Sequence, residues 1–261
     1  MSRIADVLRR IVARRREAVA AAGETAGDLP ERSRPLTAEE SPFLAALEAR
    51  RGRAVIAEVK MGSPRIGSLA GRVDPEAQAR LYAREGAAAL SVVVEPDFFG
   101  GSYGLLARCR EASSLPAIAK DFVVDPVQLR WARDAGASAV LLIAALYGAE
   151  ELRLLAARAR GLGLVPLVET HDLEDLDLLD GASWELVGVN HRDLRTFRVD
   201  LGHSRELLPR LPHGALRVAE SGIRTAADCT TLRRAGFDAF LVGESLLLAD
   251  DPAATLRELL S

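Results

Sequence analysis

Residues 134–144 read Asp-Ala-Gly-Ala-Ser-Ala-Val-Leu-Leu-Ile-Ala, which is the end of a helical pattern, a glycine and a short apolar run. The same order returns at residues 85–90 (Glu-Gly-Ala-Ala-Ala-Leu) and 234–240 (Arg-Ala-Gly-Phe-Asp-Ala-Phe). Glycine suits the left-handed backbone that ends many helices. A run that is apolar throughout is typical of a strand covered on both faces. These stretches therefore predict a repeating unit of helix, glycine and buried strand.

Similar apolar runs recur from residue 54 onward, separated by helical patterns. They predict strands at Val55–Lys60, Ala88–Val94, Pro116–Lys120, Ala139–Ala144, Leu164–Glu169, Glu185–Asn190, Leu216–Glu220 and Ala239–Gly243. Helices between buried strands indicate parallel pairing. About eight units fit an α/β fold of the closed (β/α)8 TIM-barrel type, and no dinucleotide fingerprint favours a doubly wound sheet. Pro166 cannot donate a ladder hydrogen bond, so we expect it at a strand start or a bulge.

Residues 1–53 are predicted to form an N-terminal helical extension that packs on the barrel, residues 54–261, in one domain overall. The spacing of an amphipathic helix is followed by Ile4, Val7, Leu8, Ile11 and Val12. A second, short helix is expected near Glu39 to Ala49.

Composition restricts the partners and the compartment. The chain of 261 residues has a formal net charge of -3, which gives no basic field for nucleic acid or an anionic membrane, so a small-molecule partner is expected. Cys109 and Cys229 are distant and are predicted to be packed thiols of a reducing compartment. No apolar run reaches the roughly 18 residues of a membrane span, and arginines stand where a secretory core would be apolar. We therefore expect a cytoplasmic protein.

The predicted strands end in polar residues, and in this fold the carboxyl ends of the strands surround one active site. These residues are Glu58, Lys60, Glu95, Lys120, Glu169, Asn190 and Glu220. A single charge at a strand end is usually a solvated loop residue, but the convergence predicts a functional mouth. Of the 34 lysines and arginines, only two are lysines, and both lie in this set. An ammonium can give up its proton, whereas a guanidinium does not, so Lys60 and Lys120 are predicted catalytic cations.

Two glycine-containing segments follow the last two predicted strands, at residues 219–223 and 241–245. Backbone N–H groups and a short helix there are typical of a phosphate site, to which we assign Ser221, Gly222, Gly243 and Glu244.

His171, His191, His203 and His213 lack metal-site spacing and are predicted to be loop and surface residues. With no P-loop, nucleophile elbow or nucleotide fingerprint, the pattern favours acid–base chemistry on a phosphorylated substrate, without metal or cofactor.

Seven short motifs occupy the predicted mouth. They are Ile56-Ala57-Glu58-Val59-Lys60 with Ser63-Pro64, Phe98-Phe99-Gly100-Gly101-Ser102, Lys120-Asp121-Phe122, Val168-Glu169 with His171-Asp172, Asn190 with Arg192-Asp193-Leu194, Glu220-Ser221-Gly222, and Gly243-Glu244-Ser245. Together they resemble the indole-3-glycerol-phosphate synthase family over essentially the whole chain. The resemblance implies ring closure, decarboxylation and dehydration of 1-(2-carboxyphenylamino)-1-deoxy-D-ribulose 5-phosphate, with no cofactor.

The same resemblance implies roles for individual residues. Lys120 is the general acid on the substrate carbonyl, and Lys60 contacts anionic groups and is a candidate second acid. Glu58 and Glu169 act as base and electrostatic partner in an order left open. The remaining substrate-binding residues are Ser63, Phe99, Phe122, Leu141, Ile143, Asn190, Arg192 and Glu220. A second lysine would lower the pKa of Lys120 and nearby glutamates would raise it, so the net direction also stays open.

Departures from the family pattern at Met61-Gly62, Arg65-Ile66, Val94 and Ala119 concern loop closure and rate more than reaction type.

A Schiff-base aldolase using Lys120 is the nearest chemical alternative. Phosphoribosylanthranilate isomerase is disfavoured because Lys60 stands in the region where that enzyme has a cysteine. A catalytically silent phosphometabolite-binding barrel is opposed by the intact catalytic set. Whether another enzyme of the pathway docks here stays open.

Overall fold

Eight parallel strands form a closed barrel in a computed structural model that describes residues 6–64, 67–193, 196 and 198–261. The strands are β1 (Ala54–Val59), β2 (Ala89–Val93), β3 (Ala117–Lys120), β4 (Ala139–Ile143), β5 (Val165–Thr170), β6 (Leu186–Asn190), β7 (Leu216–Glu220) and β8 (Ala239–Val242). β1 pairs with both β2 and β8, which closes the ring. The predicted TIM barrel is confirmed, and each predicted strand lies within one residue of an observed one.

Helices alternate with the strands and cover the outside of the barrel. They are α1 (Asp6–Ala22), α2 (Pro42–Glu48), α3 (Pro75–Arg84), α4 (Tyr103–Ser113), α5 (Val127–Asp134), α6 (Ala149–Gly161), α7 (Leu173–Asp177), α8 (Ser204–Leu207), α9 (Ala226–Ala235), α10 (Glu244–Leu247) and α11 (Pro252–Leu259). Short 3-10 helices lie at Ala144–Leu146 and Leu208–Arg210, and residues 62–63 pair with residues 67–68 in a small antiparallel hairpin.

Both predicted helices of the extension are present. α1 buries Leu8, Ile11, Arg15 and Val19, and α2 begins after Ser41, whose side chain accepts a hydrogen bond from the backbone N–H of Leu44. The predictions that involve Ile4, Arg65, Ile66 and Leu194 fall outside the described residues.

Pro166 is the second residue of β5 and stands opposite Val140 of β4. On the other side of β5, pairing with β6 begins only at Leu167. The missing N–H therefore costs no ladder hydrogen bond, and the predicted placement at a strand start is confirmed.

Inward-facing side chains alternate along each strand and form two zones. Near the amino ends of the strands the interior is apolar, and Phe43, Leu44 and Leu47 of α2 pack against it. We call this end the floor. On β1, the next inward-facing residue after Ile56 is Glu58. On β7, the next inward-facing residue after Val218 is Glu220. The carboxyl ends of the strands, which we call the mouth, therefore carry buried charges.

Candidate active site

A cavity of about 870 Å³ opens at the mouth of the barrel. Nearly all of the predicted site residues line it: Glu58, Lys60, Ser63, Phe99, Lys120, Phe122, Leu141, Ile143, Glu169, Asn190, Arg192, Ser221, Gly222, Gly243 and Glu244. Glu220 lies behind this wall, with no exposed surface, and reaches the site through Lys120. Glu95 instead accepts hydrogen bonds from the backbone N–H groups of Asp97, Phe98 and Phe99, which fixes the loop that carries Phe99.

The two lysines and two of the glutamates form a continuous chain of close polar contacts. Glu58 Oε1 lies 2.8 Å from Lys60 Nζ, and Glu58 Oε2 lies 3.5 Å from Lys120 Nζ. Lys120 Nζ also lies 3.3 Å from Glu220 Oε2. Each ammonium is thereby held at the mouth by carboxylates that come from strand interiors.

Two glycines leave room for these buried carboxyl groups. A Cβ atom on Gly243 would lie 2.3 Å from Glu58 Oε1, and a Cβ atom on Gly188 would lie 2.1 Å from Glu220 Oε1. Gly243 was predicted from the phosphate segment, and the structure adds this second reason for it. Gly188 was not predicted, although a glycine inside the apolar strand β6 is the kind of signal that marks a close approach.

The electrostatic balance answers the question that the sequence left open for Lys120. Burial lowers the pKa of Lys120, but the surrounding carboxyl groups of Glu220, Glu58 and Glu169 outweigh burial and raise it above its usual value. Burial likewise opposes ionisation of Glu58, yet the two lysines bring its pKa down to about 2. Lys120 is therefore an ammonium, and Glu58 a carboxylate, at neutral pH.

Glu169 and Glu220 face each other, and their pKa values are shifted in opposite directions. Burial raises the pKa of both, but His171 lowers that of Glu169 to about 2, because the imidazole Nε2 lies 3.1 Å from Glu169 Oε1. For Glu220, burial and the charge of Glu169 outweigh Lys120 and raise the pKa to about 8. At neutral pH this pair holds one proton, and Glu220 carries it.

The predicted phosphate segments meet at one rim of the cavity. Ser221 and Gly222 both have left-handed backbone, with φ of 65° and 80°, and a Cβ on Gly222 would lie 2.2 Å from Val199 Cγ1. The Ser245 hydroxyl donates to the carbonyl of Ile223 at 2.7 Å, which ties the segment after β8 to the one after β7. Arg192 lies 3.3 Å from Glu244. Arg224, which was not predicted, also lines this rim, as does Ser245 of the predicted segment 241–245.

The opposite wall of the cavity is apolar. Phe99 and Phe122 stand 6.0 Å apart between ring centroids, and Leu141 and Ile143 continue the surface into the barrel. Val7, Leu8 and Ile11 of α1 complete it. The site thus combines the rim where the predicted phosphate segments meet, an apolar wall and a cluster of titratable groups.

Residues 8–259 match the family model described as "Indole-3-glycerol phosphate synthase". The chain belongs to this family. Among the curated relatives of that name, the protein of Koribacter versatilis is 44% identical over 227 residues, which cover 85% of this chain and 87% of that protein. The protein of Burkholderia vietnamiensis is 41% identical over 267 residues, which cover 98% of this chain and 99% of that protein. The resemblance inferred from the motifs is confirmed.

Solved structures with low sequence identity share the fold of this family member. A 3-hexulose-6-phosphate synthase from Salmonella typhimurium superposes with a TM-score of 0.63 at 16% identity, covering 79% of this chain and 96% of that chain. A mutant tryptophan synthase alpha-subunit from Pyrococcus furiosus gives 0.59 at 15% identity, covering 81% and 98%. These likenesses concern the barrel alone.

In this indole-3-glycerol phosphate synthase family member, His171 and His191 lie in loops as predicted, but the prediction that they are surface residues is wrong. The His171 side chain is 11% exposed and lies between Glu169 and Asp175, and His191 is 2% exposed with Nδ1 2.9 Å from the carbonyl of Glu220. Each directly follows or nearly follows a strand end. The spacing test for metal sites could not detect histidines that contact carboxylates or carbonyls instead.

The N-terminal helix also reaches further into the site than its amphipathic pattern indicates. Arg15 of α1 is buried and forms a double hydrogen bond with Asp121, its Nη2 2.6 Å from Asp121 Oδ2. Asp121 also accepts from the Tyr103 hydroxyl and the Gln128 amide, both at 2.8 Å. Because Asp121 directly follows Lys120, this network fixes the end of β3.

Among the described residues, no group of three or more His, Cys, Asp or Glu side chains could hold a metal ion. Within the same residues, no helix is long and apolar enough to cross a membrane.

Proposed function

We propose that this chain converts 1-(2-carboxyphenylamino)-1-deoxy-D-ribulose 5-phosphate to indole-3-glycerol phosphate, CO2 and water, as an enzyme of tryptophan biosynthesis. The observation that carries the proposal is the position of Lys120, held between Glu58 and Glu220 beside an apolar slot. Family membership over residues 8–259 supports it.

The substrate has three chemically distinct parts, and the cavity offers a matching surface for each. The aromatic ring fits against Phe99, Phe122 and the inward apolar residues Leu141 and Ile143. The phosphate fits the backbone N–H groups of Ser221, Gly222, Gly243 and Glu244. The Glu244 carboxylate has the same sign of charge as phosphate, so its pairing with Arg192 keeps that charge partly neutralised.

In ring closure, the aromatic carbon attacks the substrate carbonyl, whose oxygen gains negative charge. The Lys120 ammonium donates a hydrogen bond and then its proton to this oxygen, so its raised pKa keeps it in the acid form until the charge develops. Loss of CO2 then restores the aromatic ring. In the final dehydration, Lys60 protonates the departing hydroxyl while Glu169 accepts the proton that is lost.

The polar residues around the centre hold the rest of the substrate. Asn190 and Arg192 face the sugar hydroxyls and the carboxylate, and Ser63 lies on the loop after β1 that borders the same space. Glu220 acts from behind the wall through Lys120.

We also propose that residues 1–53 and the barrel form one domain, since α1 and α2 both bury side chains against it.

The same geometry disfavours the aldolase alternative. A lysine that forms a Schiff base must attack as a neutral amine, which requires a lowered pKa. The three carboxyl groups around Lys120 act in the opposite direction.

The direct test gives the purified protein the carboxyphenylamino-deoxyribulose phosphate and follows indole-glycerol fluorescence together with CO2 release. We expect product from the wild-type protein, and none above background from Lys120→Met as the matched control. Absence of product from a folded wild-type protein would overturn the proposal. A borohydride-trapped adduct on Lys120 that depends on substrate would favour the aldolase.

We propose the cytoplasm as the site of action, because Cys109 and Cys229 are free, buried thiols of the kind found in reducing compartments. The proposed partner is this small phosphorylated substrate, and neither nucleic acid nor a membrane is expected to bind.

A further inference from the structure

His171 lies just beyond the end of β5, two residues after Glu169, and both of its ring nitrogens face carboxylates. Nδ1 forms a hydrogen bond with Asp175 Oδ2 at 3.3 Å, and Nε2 lies 3.1 Å from Glu169 Oε1, an ion-pair distance without hydrogen-bond alignment. A neutral imidazole carries a proton on one nitrogen only, so it would leave one of these contacts as two facing acceptors. The arrangement fits a ring that is protonated on both nitrogens.

The turn around His171 is built to hold the ring in this orientation. Asp175 Oδ2 accepts the backbone N–H of His171 at 2.9 Å, and Asp172, the N-cap of α7, accepts the backbone N–H of Asp175 at 2.8 Å. From the side of α8, His203 Nε2 lies 2.6 Å from the carbonyl oxygen of His171. The ring therefore has little freedom to turn away from Glu169.

The ion pairs at the mouth leave this ring as the direct ionic partner of Glu169, while Asn190, through a hydrogen bond, and Lys120, at longer range, also lower the pKa of Glu169. Lys60 pairs with Glu58, and Lys120 is within 4 Å of Glu58 and Glu220. Among the described residues, the cation that directly pairs with Glu169 is His171. A buried carboxyl group without such a partner would take up a proton.

We propose that His171 is a positioning residue whose imidazolium, braced by Asp175, keeps Glu169 ionised and turned into the cavity, so that the proton of the Glu169–Glu220 pair resides on Glu220. His171 does not touch the substrate in this arrangement. It decides which of two facing glutamates is the proton acceptor of the reaction. The raised pKa of His171, about 10 despite its burial, and the low pKa of Glu169 agree with this assignment.

The inference rests on the proposed function for its kinetic readout and has a second readout that does not. In the first experiment, kcat and KM are measured from pH 5 to pH 9 for the wild type, His171→Asn, Asp175→Asn and, as a matched control, His213→Gln at an exposed histidine. We expect kcat of His171→Asn to fall roughly tenfold at pH 7, with KM changed less than about twofold. Its acidic limb should move up by about one pH unit or more, and kcat should recover as the pH rises.

Asp175→Asn should shift the same limb in the same direction by less, and His213→Gln should leave it in place. A loss of kcat that is equal at every pH, or a KM effect without a shift of the limb, would show a merely structural role and overturn the inference. If the wild type itself turns over no substrate, the proposed function fails and this arm does not bear on His171.

The second experiment uses 15N NMR of the wild-type protein at pH 8.5 to observe the protonation of the His171 ring directly. This readout does not depend on an activity assay. We expect one of the four imidazoles to remain doubly protonated, and to be the signal that persists in His191, His203 and His213 single variants. This assignment by elimination works even where His171→Asn does not fold. Four neutral imidazoles at pH 8.5 would overturn the inference.

Discussion

The floor and the mouth of the barrel are built from the same inward rows of side chains, yet they are closed in different ways. At the floor, α2 presses Phe43, Leu44 and Leu47 onto apolar residues and leaves no room for solvent. At the mouth, α1 lies over one side and leaves a cavity of about 870 Å³ above charged residues. The N-terminal extension thus covers the floor with α2 and forms one wall of the cavity at the mouth with α1.

At each end of the barrel, a contact between a buried arginine and a carboxylate holds the N-terminal extension in place. At the mouth, Arg15 of α1 binds Asp121. At the floor, Arg160 of α6 binds Glu185 at 2.8 Å, and Glu185 accepts the backbone N–H of Leu36. The comparison indicates that the floor serves stability alone, whereas contacts at the mouth serve stability and catalysis together.

The largest expected effect is at the mouth, for Lys120→Arg. A guanidinium keeps the charge but hardly gives up a proton, so kcat should fall by about 10² to 10⁴ while the folded structure is retained. Indole-glycerol fluorescence measures the rate, and circular dichroism checks the fold. Arg205→Lys, an exposed swap away from the cavity, serves as control. Near-normal turnover would break the assignment of Lys120 as the acid.

At the floor, Phe43→Ala should lower the free energy of unfolding by about 3–5 kcal/mol, because it opens a cavity in a fully buried cluster. The kcat of the folded fraction should stay within about twofold of wild type. Urea denaturation at 25 °C measures the first quantity. Leu154→Ala, on a side chain that is 39% exposed, should cost much less. A large loss of kcat in Phe43→Ala would contradict the separation of the two ends.

The two ends should also differ in how pH affects stability. The pKa of His171 is raised from 6.5 to about 10 in the folded chain, so its protonation stabilises the fold fully below about pH 6.5 and this contribution is lost as the pH rises through 10. The destabilisation caused by His171→Asn should therefore shrink by on the order of 3 kcal/mol between pH 7 and pH 9.5. That of Phe43→Ala should be the same at both values. Urea titrations at each pH decide this, and parallel curves would contradict it.

The smallest expected effect compares Arg15→Met with Arg160→Met. Each leaves a buried carboxylate with its other hydrogen bonds, so each should lower the free energy of unfolding by about 3 kcal/mol, and the effect that separates the two variants is the smaller one on KM. Only Arg15→Met should also raise KM, because α1 forms part of the cavity wall and Asp121 adjoins Lys120. Equal KM values for the two variants would show that the mouth does not depend on how α1 is fastened.

The barrel and most of the site could be predicted because continuous apolar runs and the polar residues at their ends are local properties of the sequence. Glu58, Lys120 and Glu169 each end an apolar run, and a closed ring brings such ends together whatever the loops do. The division of the chain at residue 53 stays a prediction, as do the roles of individual site residues.

What could not be predicted depends on pairs that are distant in the chain. Gly188 has meaning only once the Glu220 carboxyl occupies the space of its missing side chain. Arg15 looks like one more surface arginine of an amphipathic helix until Asp121 is placed beneath it. The direction of the pKa shift of Lys120 required the distances to three carboxyl groups, and these are set by the shape of the barrel.

The ring of strands closes between β1 and β8, the first and last to leave the ribosome. Lys120 and Glu220, whose side chains lie 3.3 Å apart, are 100 residues apart in sequence. A nascent polypeptide that lacks β8 therefore has open strand edges and no reaction chamber, however complete its catalytic residues are. Such long-range closure makes folding slow compared with helical bundles. The enzyme acquires its chemistry in a single late step of its own synthesis.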